Sequence, residues 1–412
     1  MHILIISQYF WPESFIINDL AVDFKRRGHA ITVLTGLPNY PGGRIHEGYS
    51  WPGCRYQDFR GINIIRVPLF ARRNGRHWHL VLNYCSFVIS ACLLGPLLCR
   101  GRYDLIFVFE PSPFTVGIPA VLLRRIKKAP LLFWVQDLWP ESLSATGAIR
   151  SGFLLDQVGR LVRFVYQRCD RILLQSRGFT GSAAKFGAKE EKIYYFPNWT
   201  ENLYKPVEKP ELPDALAGQF KGFSIVFAGN LGQAQSLDTI IQAAVRLKRS
   251  PEIQWIIIGE GRRKAWLEEQ IQRLDLKSCM HLVGRYTPEV MPSCFARADL
   301  LLVCLKRDPV FALTIPSKVQ AYLACGRPIV AALDGEGARV IRESGAGLVV
   351  ASEDSEALAD AILRIYQMSE ENRKSMGQKG RAYYNAHFER ERLLDQLENI
   401  MAQAAREGLC GS

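Results

Sequence analysis

Two successive stretches of this 412-residue chain share one pattern, in which short and nearly continuous apolar runs alternate with longer amphipathic segments. In the first half the runs are Ile3–Ile6, Ile31–Leu34, Ile62–Val67, Leu105–Phe109, Leu131–Val135, Ile172–Leu174 and Ile193–Phe196. Between most of them lie amphipathic stretches such as Ile16–Arg27 and Phe153–Arg168. A strand that is apolar at every position is buried on both faces, and helical crossovers make neighbouring strands parallel. The pattern predicts a doubly wound α/β domain. It stops at a polar stretch from Asn198 to about Phe220, which carries Pro206, Pro210 and Pro213 and reads as a linker. It then restarts with Ser224–Ala228, Trp255–Ile258, His281–Val283, Leu300–Val303, Ile329–Ala332 and Gly347–Val350. The expected organisation is an N-terminal domain over 1–200 and a second over 201–385. The last amphipathic stretch, about Glu389–Arg406, has no strand to serve, so residues 386–412 are expected to return to the N-terminal domain.

The net charge of +12 is unevenly placed. Residues 1–200 hold 25 Lys+Arg against 13 Asp+Glu, while residues 201–412 hold 27 of each. All the excess lies in the first half, and a basic lobe suits anionic lipid, nucleic acid or a phosphorylated substrate. With 48% hydrophobic and 22% charged residues, the chain has the composition of a folded protein, not a disordered one. Its ten cysteines contain no Cys-x-x-Cys pair and sit mostly in apolar sequence, as core-filling thiols of a reduced cytoplasmic protein do. Met1–Ile6 runs straight into structure, with no signal-peptide pattern.

Ligands of open parallel sheets bind where strand ends feed helix N-termini. Three such loops stand out in the second half: Gly229-Asn230-Leu231-Gly232, Gly259-Glu260-Gly261-Arg262-Arg263, and Thr314-Ile315-Pro316-Ser317-Lys318. Glycines let a backbone approach a ligand closely, and Pro-Ser is a good helix start. Lys318 then places a cation beside exposed N–H groups, unless it is simply a solvated lysine on a helix surface. Together the loops predict a phosphate-bearing ligand.

The residues Gln8-Tyr9-Phe10-Trp11-Pro12-Glu13, Gly28–Thr35, Pro38-Asn39-Tyr40-Pro41, Ser112-Pro113-Phe114, Asp137-Leu138-Trp139-Pro140-Glu141-Ser142, Pro197-Asn198 and Pro316–Val330 carry a resemblance. The chain is similar over its length to the family 4 retaining glycosyltransferases, and within them to bacterial O-antigen and capsule transferases of N-acetyl-L-fucosamine. The resemblance implies the GT-B fold, two Rossmann-like doubly wound domains facing each other across a cleft. It implies transfer, with retention, from a nucleotide diphosphate sugar such as a UDP-sugar to a polyprenyl diphosphate-linked saccharide, in surface polysaccharide or lipopolysaccharide biosynthesis. The nucleotide would lie on the second domain, at Gly229, Asn230, Gly232, Gln235, Gly259, Gly261, Arg262, Arg285, Tyr286, Ser317, Lys318 and Gln320. The acceptor would lie on the first, at Trp11, Glu13, Glu110 and Trp139. The chain departs from the family where paired glutamates are usual, since those positions are Ala312 and Gln320. It departs again where Arg and Lys are usual, at Asn230 and Gln235. Lys318, Arg285 and the Arg262/Arg263 pair are the candidates to replace the missing charge.

Cations and helix N–H groups at a departing diphosphate supply the stabilisation that sugar transfer needs. Catalytic expectations therefore fall on Lys318 for the leaving group, and on Asp137 or Glu13 to orient or deprotonate the acceptor hydroxyl. With no Asp-x-Asp and scattered histidines, no metal and no other cofactor is expected. A sugar-nucleotide epimerase of the same fold is the alternative. A nicotinamide dehydrogenase is excluded by the absence of glycine from Ser7–Glu13, and no nucleic-acid recognition module is present.

Leu80–Cys99 is uncharged over twenty residues, with Arg72, Arg73 and Arg76 before it and Arg100 and Arg102 after. Its length permits a transmembrane span. A single crossing would divide one sheet between compartments, whereas a helix lying in the membrane interface keeps the sheet whole. The expectation is peripheral association with the inner face of the cytoplasmic membrane, with a buried core helix as the alternative.

Overall fold

The computed structural model describes residues 1–73 and 77–410. Arg76 lies outside them. The chain forms two compact units, Met1–Phe196 together with Leu394–Ser412, and Pro197–Leu393. The boundaries thus fall at 196/197 and 393/394 instead of near 200 and 385.

Unit 1 contains β1 (His2–Ile6), β2 (Ala30–Gly36), β3 (Tyr56–Phe59), β4 (Ile62–Val67), β5 (Leu105–Glu110), β6 (Leu131–Val135), β7 (Arg171–Leu174) and β8 (Ile193–Tyr195). They form one sheet in the order β3-β4-β2-β1-β5-β6-β7-β8, parallel except for β3. Each apolar run became a strand, and every residue of β5 and β6 is buried. The strand order reverses beside β1, which pairs with both β2 and β5.

Strand β3 was not legible as an apolar run. It is a short antiparallel edge strand whose residues are exposed or half-buried. Arg60 (φ 55°) and Gly61 (φ 77°) turn it into β4, the doubly left-handed geometry that matches the twist of a two-residue hairpin.

Unit 2 contains β9 (Phe223–Ala228), β10 (Ile253–Ile258), β11 (Met280–Gly284), β12 (Leu300–Cys304), β13 (Ile329–Ala332) and β14 (Gly347–Val350). All are parallel, in the order β11-β10-β9-β12-β13-β14. The order reverses between β9 and β12, so the loops leaving these strands diverge and open a crevice between them.

The Pro-bearing stretch expected to be a linker is built into unit 2. Leu216 is fully buried in that unit's core, and Tyr204 stacks on Phe295 with centroids 6.0 Å apart. The last helix, Arg390–Cys410, is pinned to unit 1 over most of its length. Arg27 donates to Asp395 and Glu398, both at 2.6 Å, and Arg171 donates to Glu407 at 2.7 Å. Gln396 also donates to the Tyr195 carbonyl at 3.1 Å.

The helix His77–Leu98 connects β4 to β5. Asn83, Phe87, Ala91 and Gly95, spaced by four, form its buried face. A Cβ on Gly95 would meet Leu34 at 3.2 Å and Leu123 at 3.4 Å, so glycine sets how closely the helix seats. Trp78, Val81, Leu82, Ile89, Leu93 and Leu97 point outward, with Leu93 and Leu97 67% and 66% exposed. It is therefore not a buried core helix. Nor can it be a single membrane crossing, because β1, β2 and β4 before it pair in one sheet with β5–β8 after it.

Candidate active site

In unit 2 the two glycine-bearing loops after β9 and β10 and the helix start at Ser317–Lys318 line one cavity beside the β9/β12 crevice. Gly229 N–H donates to Ile258 O at 2.9 Å, Leu231 N–H to Glu260 O at 2.8 Å, and Gly259 N–H to Gly284 O at 2.8 Å. Gly259 has φ 151°, and a Cβ there would stand 1.9 Å from Gly229 O. No larger residue allows this close approach. The loops wall a cavity of about 750 Å³, a volume suited to a ligand of nucleotide-sugar size.

Gly229, Asn230, Gln235, Gly259, Arg285, Tyr286, Ser317 and Lys318 line this cavity. Lys318 lies in the first turn of the helix Ser317–Cys325. Its ammonium donates to Gln235 Oε1 at 2.5 Å and sits 4.1 Å above the Phe227 ring. Burial lowers its pKa to about 8, because desolvation penalises the charged form. None of the ion pairs among the described residues includes it. A cation held by a neutral amide, without a counter-ion, is prepared for an anion. Gln235, which stands where the resemblance leads one to expect a lysine, is thus the direct partner of Lys318.

Four of the expected donor residues do not line the cavity. Gln320 is buried and turned inward, and its amide donates to Asn198 O at 2.5 Å. It secures the backbone at Asn198 and is not among the residues that line the cavity. Gly261 is a packing residue, since a Cβ there would meet Leu231 O at 2.4 Å. A Cβ on Gly232 would meet the Asn230 amide at 2.8 Å. Arg262 is exposed outside the cavity, and Arg263 is occupied by Asp238 at 2.6 Å and by the Trp266 ring at 3.7 Å. Sequence reasoning missed Trp199, Thr200, Glu201, Tyr204 and Tyr322, which also line the cavity. Trp199 and Tyr204, aromatic residues in a stretch read as a linker, were the available signal.

In unit 1 the carboxyl ends of β1, β2, β4, β5 and β6 carry a second group of side chains. Asp137 follows β6 and is half-buried; desolvation raises its pKa, offset in part by Ser142, Trp139 and Ser112. Glu110, the last residue of β5, is fully buried beneath it. Its Oε2 accepts from the Gln136 and Asp137 N–H groups at 3.3 Å, while Oε1 has no partner. Burial, and then the neighbouring Asp137 charge, push the Glu110 carboxyl well above the usual range. It supports the Asp137 loop from below and cannot reach an acceptor.

Glu13 is also turned inward. Its Oε1 accepts from Asn39 N–H and Tyr40 N–H, both at 2.7 Å. It is buried, and desolvation raises its pKa. The expectation that Glu13 acts on the acceptor is therefore corrected: its carboxylate is spent holding the loop after β2. Trp11 stacks on Phe59 at 4.8 Å. Trp139 is buried, 6.4 Å from the Tyr84 ring. Of the three candidate carboxylates, Asp137 alone keeps access to solvent. Among the described residues no cluster of three or more His, Cys, Asp or Glu has metal-binding geometry.

A family model described as glycosyl transferase 4-like domain matches residues 15–199, and one described as glycosyl transferases group 1 matches residues 222–368. Together they span most of the chain, which belongs to the glycosyltransferases of GT-B fold. Among its relatives is WcaI of Escherichia coli K12, whose name places it in colanic acid biosynthesis. The two are 28% identical over 310 residues, covering 73% of this chain and 74% of WcaI. WbjE of Pseudomonas aeruginosa, named as a glycosyltransferase, is 26% identical over 282 residues, covering 66% of this chain and 68% of WbjE. Among solved structures, Anabaena HepE in complex with UDP has TM-score 0.70 at 16% identity, covering 98% of this chain and 100% of HepE. Sucrose-phosphate synthase of Thermosynechococcus elongatus has TM-score 0.73 at 18% identity, covering 100% of this chain and 99% of the synthase. These structural likenesses concern the fold. The epimerase alternative gains no support from any of these findings.

Proposed function

We propose that this glycosyltransferase moves a sugar from a UDP-linked donor to a polyprenyl diphosphate-linked saccharide during assembly of a bacterial surface polysaccharide. The observation that carries the reading is the cation without a counter-ion, Lys318, in the glycine-walled cavity of unit 2. UDP occupies the HepE structure, and the name of WcaI supports the polysaccharide setting. The donor sugar of the N-acetyl-L-fucosamine class and the retained configuration follow the sequence resemblance.

In this reading the bond between the anomeric carbon and the diphosphate oxygen breaks. Lys318 and the backbone N–H groups at Ser317 stabilise the charge that develops on the departing oxygen. Arg285 is exposed at the cavity mouth and adds a second positive charge. The acceptor hydroxyl attacks the anomeric carbon from the face that the diphosphate leaves, so that the configuration is retained, and Asp137 orients it and accepts its proton. No metal takes part. With lipid-linked acceptor and UDP-sugar, UDP should be released at an undiminished rate in the presence of chelator. Activity abolished by chelator and restored by one divalent ion would contradict this.

The protein works at the inner face of the cytoplasmic membrane, held there by the outward apolar face of His77–Leu98 and by the basic first unit. It should sediment with anionic vesicles at low salt, and salt should release part of it. Burying one large aliphatic side chain contributes roughly 1.5–3 kcal/mol. Replacing both Ile89 and Leu93 with glutamine should therefore weaken vesicle binding by at least about 10²-fold. Wild-type protein that stays in the supernatant at low salt would sink this assignment.

A further inference from the structure

Unit 1 holds a cation that the chemistry above leaves unused. Arg72 lies in the loop between β4 and the helix His77–Leu98, with its guanidinium carbon 5.2 Å from the Tyr40 ring centroid and 5.8 Å from that of Tyr9. None of the ion pairs among the described residues includes it. Arginine held against aromatic faces still offers its N–H edge to phosphate oxygens, often two at once.

The loop is clamped in place. Arg72 N–H donates to Asn39 Oδ1 at 3.2 Å, and Asn83 Nδ2 donates to the same oxygen at 3.3 Å. Asn83 also holds Phe70 O at 2.6 Å and accepts from Gln8 Nε2 at 2.7 Å, while Ser86 Oγ accepts from Phe70 N–H at 2.8 Å. Asn83 and Ser86 belong to the outwardly apolar helix. Asn83, a fully buried polar side chain of that helix, is therefore used to fix the loop that carries Arg72. Glu13 completes the clamp by holding the Asn39 and Tyr40 backbone.

Position gives this cation its meaning. Asn83, which bonds the Arg72 loop at Phe70 O, is followed by Tyr84, whose ring lies 6.4 Å from that of Trp139 in the Asp137 loop. The Arg72 and Asp137 loops therefore meet the same turn of the helix at one end of unit 1. The same loop is bonded to Asn83 and Ser86 of the apolar helix. In a lipid-linked acceptor the diphosphate lies between the lipid and the sugar. A group that binds it must stand between an apolar surface and the reacting hydroxyl.

We propose that Arg72 binds the diphosphate of the lipid-linked acceptor and so selects lipid-linked over free saccharide. This rests on the acceptor reading above. The phosphate of an anionic membrane lipid offers the same chemistry, and the experiment separates the two sources. Arg72→Gln and Arg72→Lys are compared with wild type, using a saccharide linked through diphosphate to a short polyprenyl chain and the same saccharide carried on an uncharged alkyl chain. Sedimentation with anionic vesicles is measured in parallel. Arg72→Gln should lower kcat/KM for the diphosphate acceptor by roughly 10²-fold, chiefly through KM, and change the uncharged acceptor less than about threefold. Arg72→Lys should recover only a small part, because a point charge does not reproduce the stacked planar fork. Vesicle binding should be unchanged. Equal losses on both acceptors, full activity of Arg72→Gln, or weakened vesicle binding with unaltered acceptor kinetics would each overturn the assignment. If wild-type protein uses neither acceptor while still hydrolysing the donor slowly, it is the acceptor reading itself that fails.

Discussion

Lys318→Ala lowers kcat/KM for the nucleotide-sugar donor by roughly 10²–10³-fold, on the order of 3–4 kcal/mol. The size follows from where the ammonium stands. It is held at the first turn of a helix, by a neutral amide and an aromatic face and no carboxylate. Its charge is therefore unspent until the diphosphate arrives, and it acts most strongly as the leaving oxygen becomes fully anionic. The lowered pKa of about 8 gives this a pH signature. Below that value the free enzyme carries the cation. As pH rises through it the ammonium loses its proton, so kcat/KM for the donor should fall on the alkaline side. Lys318→Arg should remove that limb but recover little activity, since a planar fork does not fit a point-charge position. Steady-state kinetics across pH 6–10 would check both variants, the range being about two units on either side of the lysine. A Lys318→Ala enzyme with wild-type donor kinetics would mark an ordinary helix-start lysine, and would leave Arg285 as the phosphate contact.

Asp137→Asn should lower kcat by roughly 10²–10⁴-fold while donor KM changes little, as expected for loss of a general base that acts on the acceptor. Desolvation holds the Asp137 pKa above its ordinary value. Wild-type activity should therefore fall as pH drops through that raised pKa and the carboxylate takes up a proton. The variant should lose this acidic limb. Its thermal stability should stay close to wild type or rise, because the substitution removes a charge that burial disfavours. An Asp137→Asn enzyme that turns over at the wild-type rate would remove the residue from the reaction.

The fold was legible because a doubly wound sheet makes its strands apolar on both faces. Runs such as Leu105–Phe109 and Trp255–Ile258 needed no partner information to be recognised. Strand β3 escaped because an edge strand with polar Gln57 and Asp58 has no such run. The donor loops were legible for a related reason: Gly229 and Gly259 serve a close backbone approach, and that requirement is written in residue type. The direction in which a polar side chain points is not written there. Glu13, Glu110 and Gln320 all sit at strand ends or a helix start where ligands are expected, yet each turns inward to hold backbone. Trp199 and Tyr204 failed in the opposite sense: aromatic residues in a Pro-bearing polar stretch hint at burial, but not at which cavity the stretch folds onto.

The most direct test is mass spectrometry of the acceptor after incubation with a panel of nucleotide sugars. The account predicts that a polyprenyl diphosphate-linked saccharide gains the mass of one glycosyl residue for each UDP released. UDP released with the acceptor mass unchanged, or a nucleotide sugar converted to its epimer with no UDP released, would contradict it.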